Sequence, residues 1–293
     1  MLKSKLIAPI GFELTVKNSE FEKAFIDSKI SDFISETTYD FMIGAYYRDS
    51  SFQSLFATTL KKELKGSYVG DIHYEADCGN LEIQTPLFSS EKDALTSCQK
   101  ILEGCKIVNL EPSIIVDWEK EGGCHVNFDL QSYSNSKKGK SIETIHKEFN
   151  IFLLQNPSIV WSLLSPNDNI TSRLILNKDS NADYNCAVML KSRPYSLTTS
   201  LTRLELRFFS MFKTIPELKF YIKIATSLLR YILKQKKIPL KQVNLKEYSF
   251  KKANKNLKKI CKELKLDYNE FIAFGKVANL KKRINEYGKE YLN

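Results

Sequence analysis

The chain has 293 residues, 43% of them hydrophobic, enough to bury a sizeable core in one large domain or a domain with an appendage, and this excludes disorder of the whole. A formal charge of +10 favours polyanions (nucleic acid, nucleotide phosphates, anionic surfaces) without choosing among them. The apolar run after Lys5 is broken by Pro9 and Gly11, so no signal peptide is read, and stretches such as FYIKIATSLLRYIL are too short and too charged to cross a bilayer; a cytoplasmic protein with no membrane partner is expected.

Residues 9 to 16 carry enough β-formers to predict a strand, and SEFEKAFIDSKISDFIS, with Ser19 as N-cap, predicts a helix. YDFMIGAYY and SYVGDIHYEAD are predicted strands separated by a helix over SFQSLFATTLKKELKG. NLEIQTPLF reads as a strand stopped at Pro86, and SSEKDALTSCQKILEGC as a helix opened by a serine. PSIIVDWEK and CHVNFDL are predicted strands joined by a turn containing Gly122 and Gly123, followed by the polar loop QSYSNSKKGKS. KSIETIHKEFNIFLLQN and SIVWSLL predict helices, and DYNCAVML and LTTSLTRLELRFF strands. TIPELKFYIKIATSLLRYILK predicts a long amphipathic helix with Pro216 in its first turn. From Lys234 the chain is dense in lysine with apolar residues at helical spacing, which marks residues 241–293 as a basic helical appendage to a domain over residues 1–240. Seven or eight strands interleaved with helices and hairpins predict an α+β sheet covered mainly on one face. Six cysteines, Cys78, Cys98, Cys105, Cys124, Cys186 and Cys261, form no C-x-x-C pair and no zinc spacing, which fits reduced thiols.

Side chains alternate across a strand, so in TRLELRF the residues Arg203, Glu205 and Arg207 face one way and Leu204, Leu206 and Phe208 the other. CHVNFDL repeats this, with His125, Asn127 and Asp129 opposed to Val126, Phe128 and Leu130. Glu13 and Glu82 are acids in otherwise apolar strands. Each feature alone is also explained by a solvated strand face, a salt-bridge stripe or a satisfied edge histidine. Together they matter more, because hard divalent cations need several carboxylate oxygens converging from different elements, and arginines beside them suit phosphate.

On these residues the sequence resembles the glutamine synthetase and glutamate-cysteine ligase superfamily, in particular its amidoligase branch. GGCHVNFDL is similar to a glycine-x-histidine-x-(histidine or asparagine) strand and RLELRF to an arginine-x-glutamate-x-arginine strand. GFELTV resembles the opening glycine-x-glutamate strand, and ADCGNLEIQTPLF an aspartate-rich turn leading to a glutamate strand and a proline. The resemblance implies a curved, largely antiparallel sheet with helices on its convex face, whose concave face holds ATP and Mg²⁺ or Mn²⁺. It implies that Glu13, His125 and Glu205 bind the metal nearest the transferred phosphate and Glu82 another. It further implies that Arg207 steadies the γ-phosphate, Arg203 the nucleotide phosphates and Asn127 the nucleotide, with Glu205 and Arg207 as the catalytic pair. The reaction implied is that of an ATP-dependent carbon–nitrogen ligase: a carboxylate is phosphorylated to an acyl phosphate, which an amine converts to an amide. The substrates implied are a carboxylate and an amine carried on a peptide, a cell-wall precursor or a modified nucleobase.

The sequence departs from the family pattern in places. Thr15 stands where many members have a second glutamate, leaving Glu75 or Asp77 as substitutes. Lys120, Glu121 and Asp129 replace residues with which glutamine synthetases hold glutamate and nucleotide, which argues against free glutamate as substrate. The competing expectation is a catalytically impaired or unrelated basic protein that binds nucleic acid through its lysine-rich C-terminal segment, whose blander reading is a solvated helical face. A third is another phosphotransferase, such as a guanidino kinase, which forms no amide.

Overall fold

A computed structural model describes residues 5–17, 46–47, 71–75, 80–107, 123–131, 140–164, 187–192, 201–239 and 249–291. Among the described residues eight strands form one sheet: β1 (Lys5–Lys17), β2 (Tyr46–Tyr47), β3 (Asp71–Glu75), β4 (Asn80–Gln84), β5 (Phe88–Ser90), β6 (Cys124–Asp129), β7 (Val188–Ser192) and β8 (Leu201–Phe209). Their order is β2-β3-β4-β1-β6-β8-β7, with β5 also paired to β1, and every pairing is antiparallel. The described helices are α1 (Glu91–Ile107), α2 (Ile142–Gln155), α3 (Pro157–Leu163), α4 (Ile215–Lys234), α5 (Phe250–Leu264), α6 (Tyr268–Ala273) and α7 (Lys276–Tyr291). This is the expected α+β class with an open antiparallel sheet. The helices expected over residues 19–35 and 51–66, the strand over 112–120 and most of the loop over 131–141 lie outside the described residues.

Local chemistry accounts for the boundaries. β1 begins before Pro9, and its pairing with β5 shifts register between Lys5 and Ile10, around a residue that has no backbone donor for the ladder. β4 ends at Gln84 ahead of Pro86, as expected, yet pairing with β1 resumes at Phe88. Thr85 bridges the gap, its amide donating to Phe12 O at 2.8 Å and its Oγ1 accepting from Phe12 N at 2.8 Å. Gly123 precedes β6 with φ +149°, and a Cβ there would stand 2.5 Å from the Phe209 carbonyl oxygen, so only glycine brings this end of β6 so close to β8. In α4, Thr214 caps the first turn by accepting from Glu217 N at 3.3 Å, and Pro216 sits where its missing donor does no harm.

The sheet's apolar face carries Phe12, Leu14, Val126, Phe128, Leu204, Leu206 and Phe208, all essentially excluded from solvent. Against it lie α2 and α3 over β8, α2 over β7, and α1 and α4 over β1; α5 and α7 pack in turn on α3. Behind the sheet, Lys276 at the start of α7 reaches Glu217 Oε1 at 2.7 Å, Tyr221 OH at 2.7 Å and Ser210 Oγ at 3.1 Å. Burial lowers the Lys276 ammonium's pKa, opposed by Glu217. Cys98, Cys124 and Cys261 are free and buried, and burial raises all three thiols, Cys261 to about 12. Among the described residues no helix is long and apolar enough to cross a membrane.

Candidate metal and phosphate site

The opposite face of the sheet concentrates polar groups on its three central strands. Residues directly across an antiparallel ladder share a face. The register sets Glu13 of β1 opposite His125 of β6, Asn127 of β6 opposite Glu205 of β8, and Asp129 opposite Arg203. Between Cys124 and Val126 the partner strand advances from Phe209 to Leu206, so β8 holds one extra residue across from His125. Such a bulge re-aims neighbouring side chains. The face assignments read from alternation hold for His125, Asn127, Arg203 and Glu205, while Arg207, at the bulge, is still brought to Glu205.

His125, Glu13 and Glu205 are 5%, 3% and 0% exposed, and their ligand atoms all lie within 4.8 Å of one another. His125 Nδ1 is 3.1 Å from Glu205 Oε1 and 3.5 Å from Glu13 Oε2. Arg203 donates from Nη2 to Glu13 Oε1 at 2.9 Å, and Asn127 donates from Nδ2 to the same oxygen at 3.3 Å. Arg207 Nε stands 3.3 Å from Glu205 Oε1, and its Nη1 lies 2.7 Å from Met189 Sδ. Burial alone would lower the His125 pKa, but hydrogen bonds to Glu13 and Glu205, together with their charges, outweigh it and raise it to about 9. The imidazolium thus occupies the middle of a carboxylate pair, where a cation is electrostatically favoured.

The donor set suits a hard divalent ion. Two carboxylates and one imidazole on three different strands match the ligand types of Mg²⁺ or Mn²⁺. Asn127 Oδ1 and Arg203 Nε are buried with no hydrogen-bond partner among the described residues, which leaves one acceptor and one donor beside the cluster for a ligand. Arg207 donates from Nη1 to the Met189 thioether, a weak acceptor, and an anionic oxygen would be a stronger partner for that nitrogen.

The structure brings Glu13, His125, Asn127, Arg203, Glu205 and Arg207 together. Glu82 is placed by its backbone alone: it stands opposite Thr15 on β1, whereas Gln84 is the residue opposite Glu13. It stands one alternate pair further along the ladder from Glu13 and Gln84, and its side chain is outside the described residues, as is all of Asp77. The register also pairs His73 with Glu82 and Asp71 with Gln84. The D-x-H-x-E spacing of residues 71–75 carried the alternation that would have flagged them. Met189, opposite Glu205 on β7, has no sequence signal of its own.

No family model and no curated protein sequence matches the chain. Among solved structures it is similar to a novel glutamine synthase homologue, with 14% identity and a TM-score of 0.54 over 98% of this chain and 68% of that one. It is also similar to the glutamine synthetase of Plasmodium falciparum, with 14% identity and a TM-score of 0.47 over 80% of this chain and 53% of that one, about half its length. The first likeness is one of fold. Fold and site together define a glutamine synthetase-like sheet carrying a buried Glu–His–Glu cluster between two arginines.

Proposed function

We propose that the protein is an ATP-dependent carboxylate–amine ligase, an amidoligase working through an acyl phosphate. The observation that carries this reading is the buried Glu13–His125–Glu205 cluster, flanked by Arg203 and Arg207, on a glutamine synthetase-like sheet. Glu13, His125 and Glu205 would hold one Mg²⁺ or Mn²⁺, and Glu82 is assigned to a second. When bound, such ions neutralise charge on the transferring phosphoryl group. The chain's own residues do the rest. Arg207 exchanges its thioether contact for the γ-phosphate, Arg203 turns its remaining donor to the nucleotide phosphates, and Asn127 offers its amide oxygen to the nucleotide. Burial makes these fixed charges effective, because little water screens them.

In the reaction a substrate carboxylate oxygen attacks the γ-phosphorus as the bond to the ADP oxygen breaks. An uncharged amine then adds to the acyl carbon, phosphate leaves with the electron pair of the C–O bond, and the nitrogen gives up one proton, to the departing phosphate or to water, as the amide forms. Departures at Lys120, Glu121 and Asp129 favour an acid other than free glutamate, borne on a peptide, a cell-wall precursor or a nucleobase.

The test is ADP release from Mg²⁺–ATP with panels of carboxylates and amines, alongside thermal shift. ATP with Mg²⁺ stabilises the wild type but not Glu205→Ala, and a productive pair of substrates gives an amide. Arg207→Ala lowers turnover by on the order of 100-fold or more, as expected for loss of one charge-stabilising contact. Failure of Mg²⁺–ATP to stabilise the wild type would overturn the reading, and ADP release with a phosphorylated guanidine and no amide would favour a kinase.

A further inference from the structure

One helix is charged out of keeping with the others. In α5, Ala253, Leu257, Ile260, Cys261 and Leu264 are buried, so its apolar side is already committed to the protein. Its outer side exposes Lys251, Lys252, Lys255, Lys258, Lys259 and Lys262, and Glu263 is its only acid. Lys251, Lys255, Lys258 and Lys262 follow the i, i+4, i+7, i+11 rhythm of a single helical stripe, about 16 Å long at the usual rise, with Lys252 and Lys259 flanking it. Lysines stacked three and four apart repel one another, and two of them, Lys251 and Lys252, sit in the first turn against the positive end of the helix dipole. By contrast α1, α2, α4 and α6 each place an acid in that turn, at Glu91 and Asp93, Glu143, Glu217 and Glu270, while α3 and α7 place none there. A merely solvated face would gain from mixing signs; among the described residues this one sets six lysines against a single acid, Glu263, whose Oε1 lies 3.6 Å from Lys259 Nζ.

We propose that this outer face of α5 binds the phosphate backbone of nucleic acid. The stripe is one helix wide, and its charges are lysines, which act as point charges. The amides that could have read bases are engaged internally, since Asn254 Oδ1 accepts from Tyr268 OH at 2.5 Å and Asn256 Oδ1 accepts from Ser158 Oγ at 2.6 Å. Recognition is therefore of backbone and not of sequence. A lipid surface is the poorer match, because helices that lie on membranes insert an apolar side and α5 exposes none. The stripe sits on helices that back the sheet's apolar face, away from the Glu–His–Glu cluster, so binding there leaves the metal and nucleotide site open.

The test uses the full chain and fluorescent DNA and RNA oligonucleotides of about 20 nucleotides, single-stranded and duplex, by anisotropy. Contacts to about four phosphates predict that affinity falls on the order of 100-fold between roughly 50 and 200 mM salt, with little dependence on base sequence. Replacing Lys255, Lys258, Lys259 and Lys262 by glutamine weakens binding at low salt by about tenfold or more and flattens the salt dependence. The same variant keeps the wild-type melting temperature and the wild-type response to Mg²⁺–ATP, which separates this proposal from the ligase reading. Lys92→Gln with Lys219→Gln, on α1 and α4, leaves binding unchanged. The proposal is overturned if no oligonucleotide binds at low salt, or if both lysine variants weaken binding alike, since net charge would then suffice. It is equally overturned if vesicles containing phosphatidylserine are bound in preference to the oligonucleotides.

Discussion

His125 joins stability and the proposed metal site in one residue. Its folded pKa of about 9 lies above the ordinary value of 6.5 because Glu13 and Glu205 hold its proton against the effect of burial. A base whose pKa is raised by folding contributes stability that is complete below the unfolded value and disappears as pH rises through the folded one. In metal-free protein, stability should therefore fall between pH 6.5 and about 9, by roughly 3 kcal/mol at most. Urea unfolding in a chelator measures it, and His125→Gln should be weaker at pH 6.5 and flat across the same window. If His125 holds the ion as proposed, the ion must displace that proton, and Mg²⁺ should stabilise the wild type more at the upper end of the window than at the lower. A flat wild-type profile would sink this account of the cluster.

Between elements, Lys276 at the start of α7 makes a buried ion pair with Glu217 in the first turn of α4. Lys276→Met strands a buried carboxylate and should cost about 3 kcal/mol in urea unfolding. Pairing it with Glu217→Gln removes the stranded charge and should recover part of that loss, whereas a solvated pair would give nearly additive, small effects. This contact was hidden in the sequence, since Lys276 looks like every other lysine of a lysine-rich tail, and only packing shows that it points inward. The site strands were far more legible. Alternation alone put His125 with Asn127 and Glu205 with Arg203 and Arg207, because a period of two is fixed by the backbone. Register across strands was not legible: that Glu13 meets His125 while Glu82 meets Thr15 depends on where each chain enters the sheet, which Gly123 and the break at Pro86 help set. Met189 came to Arg207 by the same route, through pairing of β7 with β8.

At the scale of the whole molecule, the question is whether residues 241–293 merely decorate residues 1–240. Leu257, Ile260, Leu264, Phe271 and Leu280 are buried in the same apolar cluster as Ile159, Val160, Trp161 and Phe220. Phe220 meets Phe271 edge-on at 4.8 Å and stacks on Phe274 at 5.1 Å. Asn279 donates to Leu164 O at 2.8 Å and Ser162 O at 3.2 Å, occupying carbonyls at the end of α3 that would otherwise go unpaired. Five buried side chains of this size contribute on the order of 10 kcal/mol, comparable to the entire stability of an ordinary domain. A chain ending at residue 240 should therefore fail to unfold cooperatively, or melt at least about 10 °C lower, and bind an apolar dye through the uncovered surfaces of α3 and α4. Calorimetry of the shortened and full chains decides it. If the shortened chain keeps both its melting temperature and its response to Mg²⁺–ATP, α5 to α7 are a separate attachment, and the lysine stripe belongs to a module that can be removed without disturbing the sheet.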